Sequence, residues 1–292
     1  MFFEFAILAS TASGKSALAH NLALKHKACI LSLDSLCVYK EINIASAKPS
    51  LEQLNEVRYF GVNLLSVDEK FNVALFFNEY ERAKAHAKAH NQALIIVGGT
   101  SFYLRALMQG LSQKVEDVDC KLSNDELFAL VKKIDKNAKI EKNDTYRLKK
   151  WFSIYERTKE IPSLYLERTL KKALIEKLQI FDLNLQKDRV LNNIKQRTKS
   201  MIENGLIEEA RALFSKYDAN LKPLKSIGLK ECKDFLDEKI SKEELEFLIN
   251  THTAQLAKRQ RTFNKKFSST KINENAFEEI SLWIEKLRSG RV

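Results

Sequence analysis

Residues Ala9, Ser10, Thr11, Ala12, Ser13, Gly14, Lys15 and Ser16 form the octapeptide ASTASGKS, set between an apolar run (Phe2 to Leu8) and a stretch with helical spacing. Such a segment suits a polyphosphate. A buried strand ends, the chain turns tightly, and the amides that open the next helix face the turn with the positive end of its dipole. Lys15 adds an ammonium and Ser16 a hydroxyl suited to a bound magnesium ion, as in G-x-x-x-x-G-K-[ST] loops. One residue departs from that pattern, because its first glycine is Ala9. If the position needs a positive φ, alanine costs about 1 kcal/mol or more. The plain alternative is an ordinary Ser/Gly helix start; strand before and helix after favour the phosphate loop.

A second chemical group is Asp34, in LSLDSLCVYK. A carboxylate at the end of a second strand can accept a proton from a nucleophile in the cleft, or simply cap the next helix. The segment LIIVGGT ends in Gly98, Gly99 and Thr100, where motor-type ATPases carry a magnesium-assisting acid. There is no such acid here. The glycines allow close backbone approach, and the Thr100 hydroxyl can donate to a phosphate oxygen.

These residues need a scaffold that brings strand ends together. Phe2 to Leu8, Ala28 to Leu33, Tyr59 to Leu65 and Ala93 to Val97 read as strands, with Lys15 to Lys25 and Val73 to His90 as helices between them. This alternation predicts an α/β fold with a P-loop doubly wound parallel sheet, whose ligands bind beyond the carboxyl ends of the strands. Leu178 to Leu185 returns to strand character and is expected to rejoin the sheet. The expected division is a core of residues 1–117 and 177–292, with C-terminal helices over Arg189 to Glu203, Leu206 to Tyr217 and Glu243 to Phe267, and a helical insertion at 118–176. Within the insertion, Trp151, Phe152 and Tyr155 are best read as helix core.

Composition narrows the partners. The 292 residues carry a net charge of +11, crowded into Lys132 to Lys177 and Lys258 to Lys271. Uneven basic charge of this kind fits a nucleic-acid footprint better than a solvated face. Four dispersed cysteines without a CxxC pair read as reduced thiols and make a structural zinc site unlikely. No apolar run is long enough to span a bilayer, and MFFEFAILAS lacks the basic start of a signal peptide, so a cytoplasmic protein with no membrane contact is expected. Monomer is the default expectation.

Six motifs then occur in order: TASGKS at Thr11, DSLCVYK with IASAKPS after Asp34, VGGTSFYLRAL at Val97, NDTYRLKKW at Asn143, SIGLKE at Ser226 and QLAKRQRTF at Gln255. Together, across nearly the whole chain, they resemble the bacterial tRNA dimethylallyltransferase family. The resemblance implies transfer of a dimethylallyl group from dimethylallyl diphosphate to N6 of the adenosine 3′ to the anticodon. It implies that Ala9 to Ser16 and Arg197 hold the diphosphate, that Lys15 and Thr100 stabilise the leaving group, that Ser16 helps bind Mg2+, and that Asp34 is the general base. It also implies contacts to the tRNA anticodon stem-loop from Asp34, Ser35, Leu36, Cys37 and Thr100; from Tyr146, Arg147, Leu148, Lys149 and Lys150; from Ser226, Ile227, Gly228, Leu229, Lys230 and Glu231; and from Lys258, Arg259, Gln260 and Arg261. Such chemistry needs an aligned base, a neutralised leaving group and an adenine out of its stack.

Departures from the family pattern are Ala9 and Ser10 for Gly-Pro, VRYF at Val57 to Phe60 for a histidine-containing segment, and Asn193 and Ala254 for two arginines. The rival readings are a P-loop small-molecule or nucleoside kinase, an enzyme prenylating free AMP, and a non-catalytic RNA-binding protein with a degenerate loop. The first leaves the basic insertion unexplained, and the second leaves the C-terminal motifs unexplained.

Overall fold

The computed structural model describes residues 1–290. Six strands, β1 (Phe3–Leu8), β2 (Cys29–Ser32), β3 (Tyr59–Phe60), β4 (Ala93–Gly98), β5 (Gln179–Leu183) and β6 (Thr270–Ile272), pair in the order β3-β2-β4-β1-β5-β6. Every pair is parallel. Continuous apolar runs make this possible: all six residues of β4 are buried, as in parallel strands covered by helices on both faces. The expected P-loop α/β sheet is therefore present, and β5 joins it beside β1.

Two strand expectations change. The third strand ends at Phe60 rather than Leu65, because Gly61 and then Asn63 take left-handed backbone conformations (φ 75° and 56°) that break the ladder. The sixth strand was not expected. Its residues TKI are too few to show a period, and it is held at the sheet edge by pairing with β5 and by an ion pair between Lys271 and its register partner Asp182.

Four helices, α1 (Lys15–His26), α2 (Leu51–Glu56), α3 (Val73–Ala89) and α4 (Ser101–Gln109), belong to the first half of the chain. Three more follow: α5 (Asn124–Ile134), α6 (Thr145–Thr158) and α7 (Pro162–Arg168). The C-terminal region adds α8 (Lys187–Glu203), α9 (Leu206–Lys216), α10 (Leu229–Leu236), α11 (Lys242–Asn264) and α12 (Ala276–Arg288). One core packs Phe5, Ile7, Leu22, Ile30, Ile95 and Phe181 against Ile280 and Ile284 of α12. Trp283 stands edge-on to Phe5 and to Phe181, each at 5.3 Å between ring centroids, a favoured aromatic geometry. A second core joins Val38 and Ile42 to Leu206, Leu213, Leu229 and Leu245.

The chain divides into two compact units, Met1–Leu104 with Lys177–Val292, and Arg105–Glu176. The second unit opens inside α4 rather than at Val118. The reason is local pairing: the Lys171 amide donates to Leu111 O and the Leu174 amide to Leu107 O, so the outgoing segment is already tied to the returning one. Its core gathers Leu127, Val131, Leu148 and Trp151, with Phe152 and Tyr155 packed at the edge. The indole of Trp151 donates to buried Asp135 at 2.9 Å, and Ser163 donates to the same carboxylate through its hydroxyl (2.6 Å) and amide (2.9 Å). Burial pushes the Asp135 carboxyl up, but these donors outweigh it and hold the group below the usual carboxylate range.

Candidate active site

Register brings the chemical segments to one rim of the sheet. Leu8 lies opposite Gly98, and Ser32 opposite Val97, so β1, β2 and β4 end level with one another. Gly98 permits the closest approach. A Cβ there would meet the Cβ of Leu33 at 2.6 Å and its carbonyl carbon at 2.7 Å. In its absence, the Leu33 amide donates to Val97 O at 2.7 Å and the Thr100 amide donates to Leu33 O at 3.2 Å. Asp34 is thereby fixed beside the turn that opens α4.

The phosphate loop resolves the question posed by Ala9. That residue does not take a positive φ, and it is 1% exposed, packed in the core with Ile7, Ala19 and Leu22. The left-handed positions are Ala12 (φ 58°) and Gly14 (φ 81°). Backbone cost thus falls on Ala12, whose carbonyl accepts from the Asn193 side chain at 2.9 Å. Ser10 and Ser13 are buried, while Ser16 is exposed on the first turn of α1. Lys15 opens that helix, is 8% exposed, and reaches back to donate to Ser10 O at 3.3 Å. Burial first, then the nearby Arg197 guanidinium, lower its pKa to about 8, against the opposing pull of Asp34. Burial likewise lowers Arg197, which donates to the Thr11 hydroxyl at 3.3 Å.

A cavity of about 1790 Å³ within the first unit is lined by Thr11 to Ala17, by Asp34 to Cys37, and by Arg197, Ser226, Ile227 and Gln260. Asp34 accepts the Leu36 amide at 2.8 Å and the Cys37 amide at 3.4 Å, both on Oδ1. The next helix does not begin until Leu51, so Asp34 closes a turn rather than capping a helix, and it does so through one oxygen, leaving Oδ2 outside these bonds. The Cys37 thiol is pushed far up by burial and then by Asp34, so it is not a nucleophile. Thr100 is half-buried and is not among the lining residues; its contact to Leu33 runs through the backbone. Tyr103 does line the cavity and went unassigned in the sequence, although it lies in the quoted VGGTSFYLRAL motif. It stacks on Phe76 at 5.0 Å and meets Phe71 edge-on at 5.4 Å, making an apolar wall.

One flank of the cavity is a loop after β2. Glu209 of α9 accepts the amides of Asn43 (2.8 Å), Ile44 (2.8 Å) and Ala45 (2.9 Å) on one carboxylate. Lys48 donates to Tyr39 O at 2.7 Å and to the Asn43 side chain at 3.0 Å.

Residues 37–267 match the family described as IPP transferase. The chain belongs to the IPP transferase family. It is 59% identical over 291 residues to the tRNA dimethylallyltransferase of Campylobacter lari, covering 99% of this chain and 100% of the relative. It is 60% identical over 269 residues to that of Campylobacter jejuni strain RM1221, covering 92% and 93% of the two chains. Among solved structures, a eukaryotic dimethylallyltransferase acting on tRNA superposes with a TM-score of 0.82 at 23% identity, covering 100% of this chain and 80% of that one. The full-length tRNA isopentenylpyrophosphate transferase of Bacillus halodurans gives 0.74 at 24%, covering 99% and 97%. Both likenesses concern the fold.

In this member of the IPP transferase family, the residues expected to touch RNA separate into two groups. Lys230, Lys258 and Arg259 are exposed and Arg261 is half-buried. In the second unit, Tyr146, Arg147 and Lys149 are exposed, Arg147 pairs with Asp144 at 3.3 Å, and Lys150 pairs with Asp117. Others are placed in the interior, Cys37 and Gly228 among them. Leu148 and Leu229 are 0% exposed and serve as core. Glu231 is 2% exposed, caps α10 by accepting the Gly228 amide at 2.7 Å, and bonds His252 at 2.7 Å. Their motifs mix contact and scaffold positions at helical spacing, which the sequence alone does not separate. Among the described residues no helix is long and apolar enough to cross a membrane.

Proposed function

We infer that this chain is a tRNA dimethylallyltransferase, moving a dimethylallyl group from dimethylallyl diphosphate to N6 of the adenosine 3′ to the anticodon. The observation that carries the reading is the convergence of the phosphate loop, Lys15, Arg197 and Asp34 on one cavity, in a chain whose relatives bear that name.

The loop and the start of α1 hold the diphosphate with amides, with the Lys15 ammonium and with the Arg197 guanidinium. Both cations are disfavoured by burial, so an anion whose charge grows on leaving gains more from them than the bound donor does. The N6 lone pair forms the new C–N bond at C1 of the prenyl group as the C1–O bond breaks. The diphosphate leaves with the bonding pair, and the N6 proton passes to the free oxygen of Asp34. Leu36 and Cys37 hold the other oxygen and fix the carboxylate's direction. Tyr103 and Phe71 face the prenyl tail with apolar surface. Thr100 acts through its backbone, holding Leu33.

No group of three His, Cys, Asp or Glu gathers among the described residues, while Ser16 opens on the cavity. That donor set suits a divalent cation carried in on the diphosphate, with Ser16 as a protein ligand, and Mg2+ fits by its preference for phosphate oxygens and water. When bound, it supplies charge neutralisation of the leaving group. The exposed cations of α6 and α11 meet the anticodon stem-loop; the phosphate loop, Arg197 and Asp34 all come from one chain, so the reaction needs no second copy, and the protein acts as a monomer in the cytoplasm.

Purified protein with magnesium, dimethylallyl diphosphate and unmodified anticodon stem-loop RNA is expected to yield a prenylated adenosine, detected by nucleoside mass analysis. No product, or product only with AMP, would overturn the assignment.

A further inference from the structure

Gln260 sits among Lys258, Arg259 and Arg261 on α11, and its sequence setting reads as an RNA contact. Its side chain is engaged elsewhere. Oε1 accepts the Thr11 amide of the phosphate loop at 2.7 Å, and Nε2 donates to the Gly99 carbonyl at 3.0 Å. One turn later, Asn264, 2% exposed, accepts the Ser101 hydroxyl at 2.6 Å. Residues four apart share a helix face, so a single face of α11 grips the phosphate loop and both flanks of Thr100.

The contact is built into the opposing backbone as well. A Cβ on Gly99 would lie 2.4 Å from the Gln260 amide nitrogen, closer than side chains tolerate. Thr11 carries a part-buried amide that needs an acceptor, and a residue 249 positions away supplies it.

We propose that Gln260 is a positioning residue of the diphosphate site: it fastens the phosphate loop and the Gly99–Ser101 turn to α11, while the basic side chains beside it serve RNA. This rests on the functional reading above. Its signature is a separation between neighbours on one helix: Gln260 governs the donor, while Arg259 governs RNA.

The test measures donor kinetics and RNA binding for wild type, Gln260→Ala, Gly99→Ala, their double variant and Arg259→Ala. Gln260→Ala is expected to raise the donor KM and lower kcat, losing roughly tenfold to a hundredfold in kcat/KM, since small misplacements of binding groups cost that much. Its RNA affinity and salt slope should match wild type, whereas Arg259→Ala should weaken RNA binding and leave the donor KM unchanged. Gly99→Ala displaces only the far end of the flexible Gln260 side chain, so it should fold and reproduce the donor defect. The double variant should be no worse than Gln260→Ala, because both remove one interaction. RNA binding weakened by Gln260→Ala with donor kinetics intact would overturn the proposal, as would additive defects in the double variant. Failure of the functional reading looks different, since wild type then forms no product. In that event calorimetric titration with inorganic diphosphate still decides: weaker binding by Gln260→Ala supports the role, and equal binding removes it.

Discussion

The phosphate loop and helix α6 both present basic residues, yet they hold their charges in opposite ways. Lys15 is 8% exposed, leans on Ser10 O, and has its pKa lowered to about 8, by burial first and the neighbouring Arg197 second. On α6 the Arg147 side chain is 61% exposed and its partner Asp144 lies three residues back on the same turn. A buried cation is pre-aimed and costs free energy until an anion arrives, whereas an exposed one is screened by salt and free to move. Placement, more than charge, separates a site for one small polyanion from a surface for a long one.

The largest test of that contrast is Asp34→Asn. Asparagine keeps an oxygen to accept the Leu36 and Cys37 amides but loses the base, so turnover should fall by on the order of 10²- to 10⁴-fold while RNA affinity holds. Retained single-turnover prenylation would remove Asp34 from the chemistry. Next is pH. Lys15 binds the diphosphate as an ammonium, so donor kcat/KM should decline above about pH 8, by about tenfold per unit for a single deprotonation. Lys15→Arg, which stays charged, should move that limb to higher pH; an unmoved limb would assign the titration elsewhere. On the exposed side, Lys149→Ala should weaken RNA binding and reduce the salt slope by about 0.7 to 0.9, with kcat unchanged at saturating RNA. An unchanged slope would deny the phosphate contact. Smallest is Ala9→Gly, which restores the loop's usual glycine. Because Ala9 is a core residue with φ outside the left-handed region, the change should lower stability by roughly 0.5–1 kcal/mol and leave the donor KM alone. An improved KM would show that the loop needs that glycine after all.

Sequence carried the sheet well because β1, β2 and β4 are short apolar runs bounded by turn residues, and burial on both faces demands that pattern. It carried β3 and β6 poorly. One is cut short by the left-handed Gly61, and the other is three residues, too few to show a period, paired only with β5. Of the residues that line the cavity, Lys15, Asp34 and Ser16 could be singled out in the sequence because their types and spacing suggest chemistry. Tyr103, Asn193 and Gln260 could not, since their roles depend on contacts between segments remote in sequence. A glutamine reaching the Thr11 amide has no local signal. Leu148, Leu229 and Glu231 show the converse, where a motif includes the residues that hold it in shape.

Glu209 has a consequence of its own. Its carboxylate, seated on three successive amides, gives the loop from Asn43 to Ala45 a shape fixed by the protein's own contacts. Ordering a backbone residue costs about 1–2 kcal/mol, and here that loss is settled during folding. The cavity's flank is therefore a preformed mould. Recognition there selects a shape already made, and the entropy of arranging the wall does not diminish affinity at the moment of encounter.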